Sequence, residues 1–335
     1  MRKLPKDNRT ILITGGAGFI GSNFIPFFLG ENSVLNVVNL DKLTYAGNLD
    51  HLKEVESHPR YSFVQGDICD FNITKSIFEE YNISGVINFA AESHVDNSIS
   101  GPLKFIETNI EGTFNLLETA RTYWKGTANR FHHISTDEVF GSLGTHGYFS
   151  ENSNYRPNSP YSASKASSDF LVRSYHHTYG MNVVTTNCSN NYGPKQHDEK
   201  LIPTIIRTAI RGKEIPIYGN GKNIRDWLYV IDHCSGINKV FHKGKMGETY
   251  LIGGRNEYNN ITIATKICDI LDAQLPKRHG SYKNQIKFVE DRLGHDFRYA
   301  IDASKISNEL GWKAFENFES GLEQTVDWYL NKYQS

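Results

Sequence analysis

The sequence predicts an α/β protein built on a Rossmann-type, doubly wound parallel sheet, together with a smaller, mixed α/β lobe. Three observations favour this fold class. Short β-rich runs alternate with helical patterns through the first half of the chain. A glycine-rich turn follows the first of these runs. The chain has 335 residues, which makes two lobes a better expectation than a single hydrophobic core.

Six strands are predicted in the first half, with helices between most of them. The strands are Ile11–Thr14, Val34–Leu40, Tyr61–Gln65, Gly85–Ala90, Phe131–Ser135 and Asn182–Asn187. The clearest helices are Phe19–Leu29, Pro102–Trp124 and Ser164–Tyr179. This alternation predicts a parallel sheet covered on both faces, because right-handed crossovers return through helices. Pro26 predicts a bend or an early end of the first helix, since proline inside a helix costs about 3 kcal/mol.

The second half of the chain changes character after Asn191, where the alternation stops and polar, glycine-containing loops take over. We expect residues 1–191 to form the Rossmann domain. Strands at Trp227–Ile231 and Thr249–Ile252 predict that residues 227–253 return to it. Residues 192–226 and 254–335 would then form a substrate-binding domain, so that no single linker separates the two.

Composition argues against several partners. Lys and Arg number 36 against 37 Asp and Glu, and a net charge of −1 provides no long-range attraction to nucleic acid or an anionic membrane. No stretch approaches the ~18 to 20 apolar residues of a membrane span, and the basic start followed by ILITGGAGFIG does not match a signal peptide. We therefore expect a reduced, cytoplasmic protein. No metal is predicted from the scattered Cys69, Cys188, Cys234 and Cys268, or from the adjacent pairs His132–His133 and His176–His177, whose side chains should point apart.

The glycine-rich turn is the first motif that indicates chemistry. In TGGAGFIGS, Gly15, Gly16, Gly18 and Gly21 give the tight turn and bare backbone that a pyrophosphate needs at a helix N-terminus. Alone such a pattern is weak, because glycines often only make a turn. Asp41, however, ends the next strand 20 positions after Gly21, where a carboxylate would bind an adenosine ribose and repel a 2′-phosphate. The pattern favours NAD over NADP.

Asp67, in GDI after the third strand, has two interpretations of equal weight. It is placed to reach the adenine end of a dinucleotide, or it caps the next helix.

Tyr161 and Lys165 carry the second motif. Ser159 can cap a helix and Pro160 suits its first position, which puts Tyr161 and Lys165 four residues apart on one helical face. An ammonium and a helix N-terminus would lower the phenol pKa from its usual ~10 toward neutrality, so that tyrosinate takes a proton from an alcohol. A random YxxxK is more often a surface Tyr above a solvated Lys. Here Ser135 and Thr136 end the preceding strand and would supply a second hydroxyl. At this point the chain resembles the extended short-chain dehydrogenase/reductase family.

Asp137 and Glu138 follow the same strand and should face the ligand cleft at the carboxyl edge of the sheet. The alternative is a polar loop with Glu138 solvated or capping a helix. Two adjacent carboxyls in one pocket push their pKa values apart and so provide one acid and one base. After oxidation of a sugar carbon to a ketone, such a pair can remove the neighbouring C–H proton and expel a β-hydroxyl as water.

A more specific resemblance extends over nearly the whole chain. The segments are DKLTYAGN (41–48), AAESHVD (90–96), STDEVFG (135–141), YSASK (161–165), CSNNYGP (188–194), PIYGNGKNIRDW (216–227) and DRLGHDFRYAID (291–302). Together they resemble the dTDP-glucose 4,6-dehydratase family. The resemblance implies a hydro-lyase of deoxysugar (rhamnose) biosynthesis with permanently held NAD. It implies conversion of dTDP-glucose to dTDP-4-keto-6-deoxyglucose by C4 oxidation, water loss across C5–C6 and hydride return to C6.

The resemblance also implies roles for individual residues. Tyr161 would be the C4 base assisted by Lys165 and Thr136, Asp137 the acid for the C6 hydroxyl, and Glu138 the C5 base. The implied NAD contacts, with those of the glycine motif, are Gly15, Gly18, Phe19, Ile20, Gly21, Asp41, Lys42, Leu43, Thr44, Asp67, Ile68, Ala90, Ala91, Thr108, Tyr161, Lys165 and Asn191. The implied sugar-nucleotide contacts are Ser93, Thr136, Asn190, Lys200, Leu201, Pro216, Ile217, Tyr218, Arg225, Asn256, Asp291, Arg292 and His295.

Two positions depart from the family pattern: Asn97 stands where Arg is common, and Leu293 replaces the usual Pro and would loosen the nucleotide-binding loop. The family also implies a homodimer through helices Pro102–Trp124 and Ser164–Tyr179, whose apolar residues include Phe105, Ile106, Phe114, Leu117, Phe170 and Leu171. Two alternative functions remain. A nucleotide-sugar 4-epimerase shares NAD, Tyr and Lys but has no use for an Asp–Glu pair. A non-catalytic NAD-binding regulator has no need of Thr136, Tyr161 and Lys165.

Overall fold

The computed structural model describes residues 4–5, 8–126 and 128–334. The strands of these ranges are β1 Arg9–Thr14, β2 Leu35–Asp41, β3 Tyr61–Gln65, β4 Ile83–Asn88, β5 Arg130–Thr136, β6 Val183–Cys188, β7 Asn190–Tyr192, β8 Ile215–Tyr218, β9 Ile224–Tyr229, β10 Thr249–Ile252, β11 Glu257–Asn259 and β12 Ile286–Val289. The helices are α1 Phe19–Glu31, α2 Lys53–Glu56, α3 Phe71–Tyr81, α4 Val95–Ser100, α5 Leu103–Phe105, α6 Gly112–Tyr123, α7 Pro160–Tyr179, α8 Leu201–Ile210, α9 Val230–Lys243, α10 Asn260–Gln274, α11 Ser304–Leu310 and α12 Phe318–Gln334.

The main sheet is parallel and doubly wound. Within the described residues it has seven strands in the order β10-β6-β5-β4-β1-β2-β3, and each neighbouring pair runs parallel. All seven residues of β2 are buried, as expected for a strand covered by helices on both faces. The predicted Rossmann-type fold is confirmed. The strand order reverses between β1 and β4, and ligands bind in the crevice beyond the carboxyl ends at such a point.

The second half of the chain divides its strands between this sheet and two smaller ones. Strand β10 pairs with β6 and extends the main sheet, as predicted for Thr249–Ile252. Strand β9 instead lies in a three-stranded sheet of order β11-β9-β7, so the predicted return of Trp227–Ile231 to the main sheet is wrong. The reason is tertiary: β7 follows β6 after one residue, leaves the main sheet and pairs with β9. A two-stranded sheet, β12-β8, completes the described strands of the smaller lobe.

Two helices differ from the sequence pattern. Helix α1 continues five residues past Pro26 to Glu31, so the predicted early end is wrong. Phe24, Ile25 and Phe28 are fully buried, and this packing stabilises the helix across the proline. The predicted helix Pro102–Trp124 is interrupted by a wider, π-helical segment at Ile106–Glu111, between α5 and α6.

Three large hydrophobic cores stabilise the described part of the fold. One lies between the main sheet and helices α1 and α9, and includes Phe24, Phe28, Val240 and Tyr250. The second lies between the other face of the sheet and helices α3, α6 and α7. The third lies within the smaller lobe, between α8, α10 and α12. Across the described ranges, no helix combines the length and apolarity needed to span a bilayer.

Candidate active site

The glycine-rich turn forms a bare cradle between β1 and α1. Gly15 has φ +68° and its amide donates to the Leu40 carbonyl at 2.9 Å. A Cβ at Gly15 would lie 2.7 Å from the backbone of Ala90, and one at Gly21 would lie 2.5 Å from the Gly15 carbonyl. Side chains are therefore excluded from the turn, and α1 presents its N-terminus at its mouth.

Asp41 ends β2 beside this turn. Its two carboxylate oxygens accept from the backbone amides of Ala17 and Leu43, each at 2.8 Å. Burial raises the pKa of this carboxyl, against the lowering effect of those two amides. Asn39 of β2 was not predicted as a site residue. Its side-chain oxygen accepts a hydrogen bond from the Gly16 amide at 3.1 Å and so helps to hold the turn in place.

Asp67 lies at the end of β3 and pairs with Lys42 at 2.5 Å. The next helix, α3, is capped by Asp70, whose side chain accepts from the amides of Asn72 and Ile73. The capping alternative for Asp67 is therefore wrong. Asp67 and Lys42 both line the same cavity as the glycine turn.

That cavity has a volume of about 310 Å³ and runs along the carboxyl edge of the sheet. The five residues proposed as catalytic all line it: Thr136, Asp137, Glu138, Tyr161 and Lys165. So do all the predicted NAD contacts except Leu43, together with the predicted sugar-nucleotide contacts Ser93, Asn190 and Lys200. The structure thus brings the dinucleotide motif and the two acid–base pairs into one space.

Thr136 and the carboxylate pair stand where β5 passes into a short 3₁₀ turn, Asp137–Phe140. The Thr136 hydroxyl accepts from the Glu138 amide at 3.3 Å and donates to Asp137 Oδ1 at 3.4 Å. Asp137 is 1% exposed, and its Oδ2 is a buried oxygen without a hydrogen-bond partner among the described residues. An unpartnered buried carboxyl oxygen is costly unless it is protonated or meets a ligand.

The charges near the two carboxyls differ in their balance. Burial raises the pKa of Asp137 well above its usual range, and the neighbouring charges of Glu138 and Asp226 raise it further. Burial also raises the pKa of Glu138, but Arg292, Arg225 and Lys200 oppose that shift. Asp137 is therefore the carboxyl favoured to hold a proton, and Glu138 the one favoured to be charged.

Tyr161 and Lys165 lie in the first turns of α7. As predicted, Ser159 caps this helix and Pro160 is its first residue; Ser159 and Ser162 form a reciprocal capping box. The Lys165 ammonium is 4% exposed and donates to the Ile134 carbonyl at 2.7 Å. Burial lowers the pKa of Lys165 to about 8.

The phenol of Tyr161 does not have the lowered pKa that the sequence pattern predicted. Burial raises it well above its ordinary value, and the Glu138 charge adds to that shift, while the Thr136 hydroxyl opposes it. The protein's own groups thus leave Tyr161 protonated, because the phenol is buried and because Glu138 and Asp137 lie near it.

Three of the predicted sugar-nucleotide contacts are the cationic residues Lys200, Arg225 and Arg292. Lys200 donates to the Ser93 carbonyl at 3.0 Å and so joins the smaller lobe to the main one. The Arg225 guanidinium is 5% exposed and stacks 4.2 Å over the Tyr299 ring. Arg292 lies 3.7 Å from Asp96. Of these three cations only Lys200 lines the cavity, but the charges of all three act on Glu138.

Some predicted contacts have other surroundings. The Ile217 side chain is fully buried in the core of the smaller lobe, so only its backbone is available to a ligand. The Asn256 amide group donates to the Trp227 carbonyl at 3.2 Å. His295 Nδ1 donates to Asp291 Oδ1 at 2.7 Å, which pairs these two predicted contacts with each other. The remaining predicted contacts Leu201, Pro216 and Tyr218 lie at the start of α8 and on β8.

Sequence reasoning missed three buried groups beside the site: Asp226, Asp169 and His133. Asp226 accepts from the backbone amides of Asn256 and Gly254 and raises the pKa of Asp137. Asp169 lies four residues after Lys165 on α7, a spacing that would have revealed it. His132 and His133 point to opposite sides of β5, since His132 contacts Thr186 and His133 contacts Asp169.

A Rossmann-type sheet with a glycine turn, a strand-end Thr and a Tyr–Lys pair in one cleft is the architecture of an extended short-chain dehydrogenase/reductase. Comparison with known proteins narrows this class. The family model described as GDP-mannose 4,6 dehydratase matches residues 12–325. The dTDP-glucose 4,6-dehydratase of Salmonella typhimurium is 55% identical, over 97% of this chain and 93% of that protein. The chain belongs to the dTDP-glucose 4,6-dehydratase family.

Solved structures agree with this membership. The dTDP-glucose 4,6-dehydratase of Bacillus anthracis, solved in complex with NAD, is 44% identical and superimposes with a TM-score of 0.88, covering 97% of this chain and 98% of that one. The UDP-glucose 4-epimerase of Thermotoga maritima, solved with UDP-glucose, has a TM-score of 0.87 at 25% identity, with 97% and 99% coverage. The fold alone therefore does not separate the two activities, and sequence identity favours the dehydratases.

Proposed function

We infer that the protein dehydrates dTDP-glucose to dTDP-4-keto-6-deoxyglucose with NAD as its cofactor. The observation that carries this inference is the placement of Asp137 and Glu138 in the same 310 Å³ cavity as Thr136, Tyr161 and Lys165. An enzyme that only oxidises and reduces C4 needs the latter three alone. Elimination of water needs an additional acid and an additional base, and the cavity contains both.

The residues present fit NAD. The cradle at Gly15 and Gly21 admits no Cβ, which suits a pyrophosphate against bare backbone. Asp41 lines the cavity at the end of β2, and Lys42 and Asp67 extend that wall toward the adenine end. When bound, NAD supplies a reversible hydride acceptor, so that the substrate is oxidised at C4 and reduced at C6 with no net redox change.

Tyr161 is assigned as the base for the C4 hydroxyl, with Lys165 and Thr136 as its partners. The Tyr161 phenol is raised in pKa by burial and by Glu138, so its deprotonation depends on a nearby cation. Lys165 supplies one such cation from the same helix face. Thr136 adds a hydroxyl whose hydrogen bond lowers the phenol pKa.

Glu138 is assigned as the C5 base and Asp137 as the C6 acid. Once C4 is a ketone, the adjacent C5–H is acidic, and Glu138 takes that proton. Asp137 gives its proton to the C6 hydroxyl, which leaves as water while the C5–C6 double bond forms. The balance of charges around the two carboxyls supports this division, because three cations act on Glu138 and, of these, only Arg225 acts on Asp137, whose pKa Glu138 and Asp226 raise.

The nucleotide diphosphate is assigned to the cationic side of the cleft. Arg225 and Arg292 offer forked donors that match phosphate oxygens, and Lys200 adds a point charge near the sugar. We propose that this lobe comprises residues 192–226 and 254–335 together with the end of β9, and that residues 1–191 hold the cofactor together with α9 and β10 of the 227–253 segment.

One experiment tests the function directly. The purified protein is incubated with dTDP-glucose without added cofactor, and the product is examined by mass spectrometry. Loss of one water supports dehydration. An unchanged mass with inverted C4 would support the epimerase alternative, and no reaction by a protein that retains NAD would support the regulator.

We further propose that the protein is a homodimer formed through the 103–123 segment and α7. Leu103, Ile106, Phe114, Phe170 and Tyr179 are each 47% to 63% exposed on these elements, and exposed apolar side chains at this density favour association. Two residues of the predicted interface, Phe105 and Leu117, are 2% and 0% exposed and belong to the interior of the subunit. A monomeric mass by light scattering at micromolar concentration would refute the dimer.

A further inference from the structure

A line of buried polar side chains crosses the main sheet beneath the site, from the glycine turn to the catalytic helix. It begins at Thr14, whose hydroxyl donates to Asn88 Oδ1 at 2.6 Å and accepts from the Ala90 amide at 3.3 Å. Asn88 Nδ2 lies 3.3 Å from His133 Nδ1. His133 Nε2 lies 3.4 Å from Asp169 Oδ1.

The hydrogen bonds of this line fix the state of the His133 ring. Because Asn88 Oδ1 accepts from Thr14, its Nδ2 is the donor and His133 Nδ1 is the acceptor. Burial, and after it the Lys165 charge, lower the pKa of His133 to about 4, so the ring is neutral. Its one proton is then on Nε2, where it faces the Asp169 carboxylate.

The Asp169 carboxylate accepts hydrogen bonds from three uncharged side chains. Its Oδ2 accepts from Ser135 Oγ at 2.9 Å, Tyr155 OH at 2.8 Å and Asn187 Nδ2 at 3.1 Å. The residue is 5% exposed. Its Oδ1 has no hydrogen-bond partner among the described residues, and a buried carboxylate left in that state is costly without a nearby cation.

The cation that faces it is Lys165, one helical turn earlier on α7. Lys165 Nζ lies 3.5 Å from His133 Nε2, so the imidazole ring edge lies between the ammonium and the carboxylate. The other titratable groups near Lys165 are neutral. Burial raises the pKa of Cys188, on β6, to about 12, and Tyr161 is protonated as described above.

We propose that Asp169 is a positioning residue for Lys165: its buried carboxylate, acting across the His133 ring, keeps the Lys165 ammonium charged and directed toward Tyr161. Asp169 does not line the cavity, so it acts through Lys165 rather than on the substrate. Asp169 is the charge that most raises the pKa of Lys165, against burial, which lowers it to about 8. The proposal rests on the proposed role of the Tyr161–Lys165 pair.

The first test is the pH profile of turnover for Asp169→Asn, with dTDP-glucose at saturation. The asparagine side chain has the same shape as aspartate but no charge, so the pKa of Lys165 should fall from its present value of about 8. We expect the basic limb of the profile, where Lys165 loses its proton, to move to lower pH by about one unit or more. The plateau below that limb should stay close to the parent value.

Tyr155→Phe is the matched control, because it removes one hydrogen bond to the same carboxylate oxygen and retains the charge. Its basic limb should remain within a few tenths of a pH unit of the parent's. A uniform loss of rate at every pH in Asp169→Asn, or an equal shift in Tyr155→Phe, would overturn the proposal. If the parent protein fails to dehydrate dTDP-glucose, the proposed function fails instead, and the two outcomes are distinct.

The second test needs no catalysis. Thermal unfolding of Lys165→Met, Asp169→Asn and the double variant forms a cycle that measures coupling between the two residues. Lys165→Met strands a buried carboxylate and should lower the melting temperature. Adding Asp169→Asn should then recover part of that loss. Melting temperature changes that simply add would overturn the proposal.

Discussion

The two walls of the cleft are built by different means. The cofactor-facing wall is the glycine turn with Asp41 and Asp67, and each of these follows a strand of consecutive βα units. The proposed sugar-facing wall has Lys200 in the cavity lining and Arg225 and Arg292 close enough to act on Glu138, and these three residues come from separated segments of the chain. The first wall uses bare backbone and strand ends, whereas the second uses charged side chains that meet only after folding.

This difference shows that cofactor binding depends mainly on local structure, whereas the charge of the catalytic base depends on contacts between distant segments. Backbone donors at a helix N-terminus are fixed once the helix forms, and their field needs no distant partner. The charge of Glu138, in contrast, depends on Arg292, Arg225 and Lys200 together. Substitutions on the first wall should therefore change cofactor binding by filling space at the glycine turn. Substitutions on the second wall should change the pKa of Glu138.

The largest expected effects are at the reacting groups between the walls. Glu138→Gln and Asp137→Asn should still allow C4 oxidation, since that step needs Tyr161 and Lys165 but no carboxylate. Dehydration should fall by about 10²- to 10⁴-fold, the usual loss for a positioned acid or base. Tyr161→Phe should block both steps. The measurement is NADH absorbance after mixing each variant with substrate, alongside product formation.

Exchange at C5 separates the two carboxyls. With Glu138→Gln, the C5 proton should stop exchanging with solvent deuterium, because its base is gone. With Asp137→Asn, exchange should persist while water loss slows. Dehydration at the parent rate in both variants would mean that STDEVFGS is only a polar loop.

On the cofactor-facing wall, Gly15→Ala should prevent the protein from retaining NAD. A Cβ there would lie 2.7 Å from the Ala90 backbone, and the φ of +68° is strained for alanine. The matched control is Gly30→Ala in helix α1, where a Cβ would meet nothing within 4 Å. The measurement is the amount of NAD released on denaturation of each purified variant. Equal NAD content in the two would show that the turn tolerates side chains and does not act through shape.

On the sugar-facing wall, Arg292→Gln should change a pH profile. Burial raises the pKa of Glu138, and three cations lower it, with Arg292 having the largest effect. Loss of Arg292 should therefore raise that pKa. A base must be unprotonated, and the acid limb of dehydration at saturating substrate should therefore move to higher pH, by up to about one unit for a partly screened charge. Arg255→Gln, an exposed site outside the cavity, is the control. If the acid limb does not move and only KM rises, Arg292 contributes to substrate binding and does not set the pKa of Glu138.

The smallest expected effect is at Leu293, which is 77% exposed in the loop that we propose contacts the nucleotide. Gly294 has φ +64°, as the third residue of a type II turn does, and the position before it favours proline. Leu293→Pro should stabilise the protein by about 0.4–1 kcal/mol, because proline reduces the conformational entropy of the unfolded chain. It should also slightly tighten nucleotide binding. Chemical denaturation and dTDP titration measure these changes. A destabilised variant would show that the Leu293 backbone is not in the turn geometry that suits proline.

The sequence by itself determined the parts of this protein that depend on local pattern. Buried runs separated by helices predicted the main sheet, and Ser159 and Pro160 predicted the start of α7, because strand burial and helix capping are decided by neighbouring residues. The glycine turn and Asp41 predicted a dinucleotide site for the same reason. Strand-end position placed Asp137 and Glu138 in the cleft with Tyr161 and Lys165.

Only the tertiary structure decided what depends on contacts between distant segments. The pairing of β9 with β7, the π-helical segment at Ile106–Glu111 and the passage of α1 through Pro26 follow from packing that no local pattern encodes. The same holds for charge. Which of Asp137 and Glu138 keeps its proton, and the position of His133 of β5 against both Lys165 and Asp169 of α7, depend on burial and on groups brought from separate strands and helices. Electrostatic energies depend on distance and desolvation, and folding alone sets both.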